Sequence, residues 1–552
     1  MIKKFALGSL FFLTFLVLVG VRFYRFGSLP KSLNADEASY GYNAYSILKT
    51  GRDLYKKTYP LTLKSFGEYK PAGLTYVLVG LLKFLPLSAS TIRLPSALAG
   101  LLILPVLYLT LELFFHRPKF NLILTLIFAA SPWTFSLSRL FFEANVGLFF
   151  MAVALYYFFR WQLKNKPLPF WFYLTLALSG YFYQPFRYIA FAILGLVLFL
   201  ILKKKQKLTF GGFVFFLVLS LPLLFEMFSS VGLKRFFQEN YKQDLILSKQ
   251  VISHRHHCQL VINQPFVCRL IWNRPLLKFT HTTQIIWQLV SPQFLFFDGR
   301  DGFQVLPLGY GAYLPLLLIA YFLALISLPK LISKPYFASF SFIFLVSLLP
   351  LASVGELSLH RSVFHLYLLF LFFSLGLHTF YSSIKKFIPY FCLLYGLLFG
   401  RFLFIYFTDF SFFAHNIWQT NDAALYTFLG KHLDNQTIII DNSHHLSPPL
   451  YFAFFNRLNP QKYQDEVRRS QPNQVGNIFA TGLSNFYFTQ PTNLQDLLTR
   501  YQQHPQQDIL YLTPPQSVYS QYALYQDRRP DGSVIMEIYS LKDLYNKLNS
   551  TH

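Results

Sequence analysis

The sequence is poor in charge. Asp, Glu, Lys and Arg make up 13% of its 552 residues, against about a quarter in an average soluble domain. Acidic side chains are the scarcer sign, 24 against 49 basic ones. Cysteine is nearly absent, and Cys258, Cys268 and Cys392 are too few for a disulfide scaffold or a tetrahedral zinc site. No GxGxxG or P-loop stretch occurs, which removes the usual nucleotide-binding fingerprints. The net charge of +25 is dispersed among short loops and forms no single tract. It therefore argues against nucleic acid and for the loop lysines and arginines that orient a membrane protein.

What is abundant is apolar. Hydrophobic residues make up 54% of the chain, with 65 Phe and 36 Tyr, and apolar runs near the ~20 residues that cross a bilayer recur down to residue 408. They lie near 5–23, 91–115, 119–137, 143–160, 169–185, 187–202, 209–227, 306–328, 335–353, 362–381 and 386–408. The start, MIKKFALGSLFFLTFLVLVG, has the charges of a signal peptide but no small-x-small cleavage site, so it is read as an uncleaved first helix with Lys3 and Lys4 cytoplasmic. Basic loops at 116–119, 160–166, 203–207, 330–334 and 385–386 alternate without conflict if all are cytoplasmic. About eleven spans then leave the tail outside. The run 72–87, short and carrying Lys83, must not cross in this scheme and is expected to be interfacial or re-entrant.

The expected architecture is a polytopic α-helical membrane domain over 1–413, with outer loops 24–90 and 228–305, followed by a small extracytoplasmic α/β domain over 414–552. The tail richens in Gln, Asn and Pro, and its helical patterns (AALYTFLGKHL, NLQDLLTRYQQ) alternate with strand-like runs (TIIID, DILYL, VIMEIYSL).

Polar residues that this topology sets on the outer side form the candidate site. Asn34-Ala35-Asp36-Glu37 opens a predicted helix over 37–49, with Gly51 where a C-terminal cap would sit. Asp36 as helix cap and Glu37 as dipole partner is one reading; a general base or cation site made of two adjacent carboxylates is the other. Further on come Glu68 and Lys70 in FGEYKP, Arg93 in IRLPS, Arg139 and Glu143 in SRLFFEAN, Glu356, and the His360-Arg361 pair. Each alone reads as a snorkelling or paired interfacial charge, whereas their collection on one face suits a phosphate head group with a base nearby. The string HRHHC at 254–258 offers metal-ligating side chains, but adjacent histidines seldom converge on one ion, so a solvated loop is expected. Cys258 and Cys268 lie outside in this scheme, where a disulfide forms if geometry allows.

The acidic pair of the first loop, FGEYKPAG, IRLPSALAG and SPWTFSLSRLFFEAN, in that order, resemble the GT-C membrane glycosyltransferases, in particular the bacterial protein O-mannosyltransferase group that includes the lipid A aminoarabinose transferases. The resemblance is detailed over 1–160 and looser to 408. It implies inverting transfer of a hexosyl or pentosyl group from a polyprenyl-phosphate-linked donor to a hydroxyl of a protein, lipid or glycan. It makes Asp36 the catalytic base, with Glu37 completing the motif. Lys70, Arg93, Arg139 and Arg361 would meet the phosphate charge, with His360 beside Arg361, and Glu68 and Glu143 would orient cations or sugar hydroxyls. A divalent metal ion at the carboxylates is left open. The family's GDG-type stretch with a histidine has only FDGRDGF at 297–303 as counterpart. A transporter or lipid flippase, or a non-catalytic family member, are the rival readings; no internal repeat of the transporter type is found.

Overall fold

The computed structural model describes residues 2–30, 33–66, 68–205, 209–299, 305–354, 357–410, 423–432, 436–441, 448–471, 478, 480–489, 493–503, 509–516, 518–528 and 532–550. Glu356 and most of the 297–303 stretch lie outside the described residues. In chain order, α1 (Ile2–Phe23) leads to α2 (Ala35–Thr50), a hairpin of β1 (Thr62–Ser65) and β2 (Glu68–Pro71), and the short α3 (Gly73–Leu81). There follow α4 (Ala89–Phe115), α5 (Pro118–Ala129), α6 (Pro132–Ser138), α7 (Glu143–Lys164), α8 (Phe170–Phe182), α9 (Gln184–Lys204) and α10 (Phe210–Phe228). Next come α11 (Ser230–Ile262), α12 (Pro265–Ile271), α13 (Arg274–Val290), α14 (Leu318–Ile332), α15 (Phe337–Val354), α16 (Val363–Thr379), α17 (Tyr381–Ile384) and α18 (Ile388–Phe407).

The chain divides into two compact units, one of residues 1–24 and 94–406, the other of 25–93 and 407–552. In this division the first loop clusters with the tail.

Among the described residues, six helical stretches are long and apolar enough to cross a membrane: Ala89–Phe115, Glu143–Lys164, Gln184–Lys204, Phe210–Phe228, Pro315–Ile332 and Ile388–Phe407. The pair α5 and α6 qualifies jointly and bends by 60° between them, where Pro132 cannot continue the hydrogen-bond ladder but suits the first turn of a new helix. Shorter apolar helices at Phe11–Phe23, Phe170–Phe182, Phe337–Leu349 and Val363–Thr379 account for the remaining apolar runs. α16 is buried on all sides from Val363 to Leu371, as expected of a helix that is apolar all round. It packs on α14 and α7, and Phe370 meets Phe128 edge-on at 5.0 Å. The buried Arg187 pairs with the half-buried Glu226 at 2.5 Å, between the first turn of α9 and the last turn of α10. Sequence reasoning passed over it, although a carboxylate inside an apolar run is itself a signal of a partner.

Among the described residues of the other unit, seven strands form a mixed sheet in the order β4 (Val467–Arg469), β5 (Ala480–Leu483), β6 (Phe486–Thr489), β3 (Thr437–Asp441), β7 (Ile509–Thr513), β9 (Val534–Ser540) and β8 (Tyr525–Arg528). β3 runs parallel to β6 and β7 and the outer pairs are antiparallel. The helix Leu494–Gln503 buries Leu494, Leu497, Leu498 and Tyr501, spaced as one helical face, against Tyr511, Tyr539, Leu541 and Leu544. The small α/β domain read from the tail is therefore present. Within β9, burial pushes the Glu537 carboxyl up, but hydrogen bonds from Tyr539, the Gln516 backbone, Ser520 and Gln526 outweigh it and hold the group below its ordinary value of 4.5. A group depressed in the folded state adds stability that is present above its unfolded value and is lost as pH falls through the folded one. Thermal unfolding of the wild type should therefore lose ground against Glu537→Gln as pH is taken from 6 to below about 4.5; parallel pH profiles for the two would refute this.

α2 is the element that ties the first loop to the tail within this unit. It packs on α3 and on the tail helices Pro448–Phe455 and Pro460–Glu466. Tyr42 donates to the Leu458 carbonyl at 2.9 Å, Gln464 Nε2 to Ser46 Oγ at 2.9 Å, and Tyr451 to the Leu33 carbonyl at 3.2 Å. Gly41 permits this approach, since a Cβ there would fall 2.8 Å from the Phe454 ring and closer still to Ile92. The run 72–87 forms only the nine-residue α3 with Phe84 and Leu85 exposed beyond it, too short to span.

Candidate functional site

The first turn of α2 is held by Asn34. Its side chain accepts from Glu37 N at 2.7 Å and its own N–H donates to Glu37 Oε2 at 3.1 Å, a reciprocal capping box. The cap is thus Asn34 and not Asp36. At the far end Gly51 takes the left-handed conformation (φ 69°) and donates to Ile47 O, the C-terminal stop expected from the sequence.

Relieved of capping, Asp36 points its carboxylate at the Lys70 ammonium. The Asp36 side chain is 40% exposed and that of Lys70 9%. Lys70 is brought there by the hairpin, in which it pairs with Leu63, and its ammonium also lies 5.9 Å from the Tyr40 ring centre. Glu68, two residues earlier on β2, is on the same face of the strand as Lys70.

Glu37 differs from its neighbour in every respect. It is fully buried, and besides the capping contact it accepts from Arg93 Nε at 2.7 Å and Nη2 at 2.9 Å. This is the bidentate fork that suits guanidinium and carboxylate. Arg93 is itself fully buried and spends Nη1 on the Pro30 carbonyl at 3.1 Å. Arg93 was expected among the phosphate-binding cations; here its donors are consumed inside the protein and it acts as a clamp on Glu37. The adjacent carboxylates are thus one structural and one accessible. Among the described residues no group of three His, Cys, Asp or Glu is arranged to hold a metal ion, and the neighbour of Asp36 is the Lys70 ammonium.

The remaining candidates belong to the helical unit. Arg139, fully buried, donates to the carbonyls of Val21 and Arg22, which the end of α1 leaves without helical partners. Arg22 in turn donates to Ala129 O and to Ser138 Oγ, the latter at 3.3 Å, and both guanidiniums lie against Phe135. Arg139 therefore anchors α1 to α6. Glu143 opens α7. His360 stacks on Phe142 with ring centres 5.0 Å apart, and its Nδ1 is 2.7 Å from Ser358 Oγ. Arg361 Nη1 is buried with no hydrogen-bond partner among the described residues. A buried guanidinium N–H without a partner is costly and marks a place for an anion or water.

Residues 254–258 do not form the expected loop. They lie inside α11, a helix of 33 residues that no Pro interrupts and that runs to an Asn263 left-handed cap. His254 stacks on Trp272 at 4.3 Å, and Cys258 is bonded to Cys268, so its thiolate is unavailable to a metal.

Residues 70–227 match the model of a family described as dolichyl-phosphate-mannose-protein mannosyltransferase. Among solved structures, ArnT from Cupriavidus metallidurans bound to undecaprenyl phosphate superposes with a TM-score of 0.51 at 12% identity, over 96% of this chain and 97% of that one. The fold is that of the GT-C membrane glycosyltransferases. The Archaeoglobus fulgidus oligosaccharyltransferase tethered to an acceptor peptide gives a TM-score of 0.50 at 14% identity, over 97% of this chain and 74% of that one. No curated protein matches the chain. Lys70, Arg93, Arg139 and Glu143 fall within the matched family segment, whereas Asp36, Glu37, Glu68, His360 and Arg361 fall outside it.

Proposed function

We propose that this GT-C chain is an inverting glycosyltransferase that moves a sugar from a polyprenyl-phosphate donor to a hydroxyl acceptor at the outer membrane face. The observation that carries this reading is the division of labour in the first loop: Glu37 is locked by Arg93 and the helix cap, and Asp36 is left accessible beside Lys70. The family match, and the undecaprenyl phosphate and acceptor peptide carried by the two similar structures, support the donor and acceptor classes. The acceptor is a hydroxyl of a protein, lipid or glycan, and the sugar a hexose or pentose.

In this reading the acceptor oxygen attacks the anomeric carbon from the face opposite the phosphate. The bond from that carbon to the phosphate oxygen breaks, and the phosphate leaves with the electron pair while the acceptor proton passes to the Asp36 carboxylate. Neutralising Asp36 loosens its hold on Lys70, whose ammonium is then free to meet the growing phosphate charge. Within the helical unit, Arg361, whose Nη1 has no hydrogen-bond partner among the described residues, is a candidate to hold an anion, with His360 next to it in the chain. Glu68 orients Lys70 or a sugar hydroxyl, and Glu143 serves similarly in the helical unit. Arg93 and Arg139 act by positioning α2 and α1. The tail, by gripping α2, fixes where Asp36 stands.

The outer-face assignment rests on the basic loops being cytoplasmic and on the Cys258–Cys268 disulfide, which belongs on an oxidising side of the membrane. The N-terminus is then cytoplasmic, and loops 24–90 and 228–305 and the tail 414–552 are extracytoplasmic. The test is polyprenyl phosphate release by the purified protein in lipid, with a panel of polyprenyl-phosphate sugars and crude envelope as acceptor. Release from one donor names the sugar. No release from any donor would favour a transporter, a flippase or a non-catalytic member, and protease protection of the tail in inverted vesicles checks the orientation.

A further inference from the structure

The segment that follows span α10 carries an unexplained surface. α11, α12 and α13 fold back as a hairpin stapled by Cys258–Cys268, and α13 has two apolar faces. Ile285 and Leu289 are buried, where α13 packs on α11 and α15. Leu276, Phe279 and Trp287, spaced to share the opposite face, are exposed, Phe279 by 65% and Trp287 by 70%. Thr280 and Thr283 accompany them, and their hydroxyls donate to the helix's own carbonyls of Leu277, Phe279 and Thr280 at 2.9 to 3.0 Å. That face can therefore enter a region of low polarity without leaving those hydroxyls unsatisfied. At the stapled turn Val261 and Phe266 are exposed as well, by 84% and 76%.

Charge identifies the occupant. Between Asp244 and Asp298 there is no acidic residue, while Lys249, Arg255, Arg269, Arg274 and Lys278 are all basic. Arg255 is engaged with the Trp272 carbonyl at 2.6 Å, but Lys249, Arg269 and Arg274 are exposed. An exposed apolar face with Trp and Phe, flanked only by cations and attached one residue beyond a span, matches an anionic lipid interface. We infer that this hairpin seats in the headgroup region of the bilayer, its apolar face among acyl chains and its cations on anionic phospholipid headgroups. This placement does not depend on the proposed transferase activity.

The full chain in nanodiscs tests it, with a nitroxide at Phe279→Cys in a Cys392→Ser background and a control label at Lys542→Cys on the exposed side of the last tail helix. In phosphatidylcholine with phosphatidylglycerol, the label at 279 should be open to oxygen and closed to a water-soluble nickel quencher, with the control open to nickel. Replacing Lys249, Arg269 and Arg274 by Gln, or removing phosphatidylglycerol, should restore nickel access at 279. Nickel access at 279 in the anionic nanodiscs would overturn the seating, as would dipolar broadening from a second copy of the chain. Protection at 279 that is indifferent to both changes would overturn the role of the cations.

Discussion

Replacing Asp36 with Asn is expected to lower turnover by about 10²- to 10⁴-fold, the usual contribution of a positioned general base, with the protein still folded. The substitution keeps the size and most of the hydrogen-bonding shape of the side chain, and removes the one property the reaction needs, a carboxylate to take the acceptor proton. The structural cost is limited because the Asp36 side chain is 40% exposed and the replacing amide oxygen can still accept from the buried Lys70 ammonium. Polyprenyl phosphate release, followed with thermal unfolding of the same preparations, separates the two effects. The loss should fall on kcat and not on KM, since the proton moves only in the transition state. Glu37→Gln is the informative partner. It should lose activity only together with stability, because Glu37 serves the helix cap and Arg93. Wild-type turnover in folded Asp36→Asn would remove Asp36 from the chemistry.

The apolar runs were legible because lipid imposes them: a span must be long and apolar whatever surrounds it. The Gly51 stop and the helical face of Leu494, Leu497, Leu498 and Tyr501 were legible for the same reason, each being a local requirement of one helix. What sequence could not assign was the choice between neighbours. Asn34, Asp36 and Glu37 are all able to cap a helix, and only the arrival of Arg93 and Lys70, distant in sequence, decides which carboxylate is buried and which is accessible. Distance along the chain also hid the grip of the tail on α2, through pairs such as Tyr42 with Leu458 and Ser46 with Gln464. The polarity of the histidine-rich stretch suggests a loop, whereas there is neither Pro nor Gly from Leu233 to Asn263 and nothing to break a helix. In one dimension an exposed and a buried arginine look alike, so the sequence does not tell a phosphate ligand from a clamp such as Arg93 on Glu37.

Arg93→Ala should be the most damaging single substitution in the first loop, costing about 3–5 kcal/mol, the usual penalty for removing one partner of a buried ion pair. Both members of the pair have no exposed surface, so water cannot replace the guanidinium, and Glu37 would be left as an uncompensated buried charge. Arg93→Lys should rescue little, because one ammonium cannot reproduce the Nε and Nη2 fork on both carboxylate oxygens or the Nη1 contact to Pro30. The double replacement Glu37→Met with Arg93→Met removes both charges, and should be markedly more stable than either single variant. Thermal unfolding of the four proteins in one detergent closes the cycle, and additive losses would show that the pair is not coupled. The double variant also probes function. It lacks the carboxylate that completes the cap with Asn34, so the first turn of α2 is held only by the Asn34 side chain on Glu37's backbone N–H position. Recovered stability without recovered turnover would mean that the pair fixes Asp36 in its working position, and recovery of both would reduce it to a packing element.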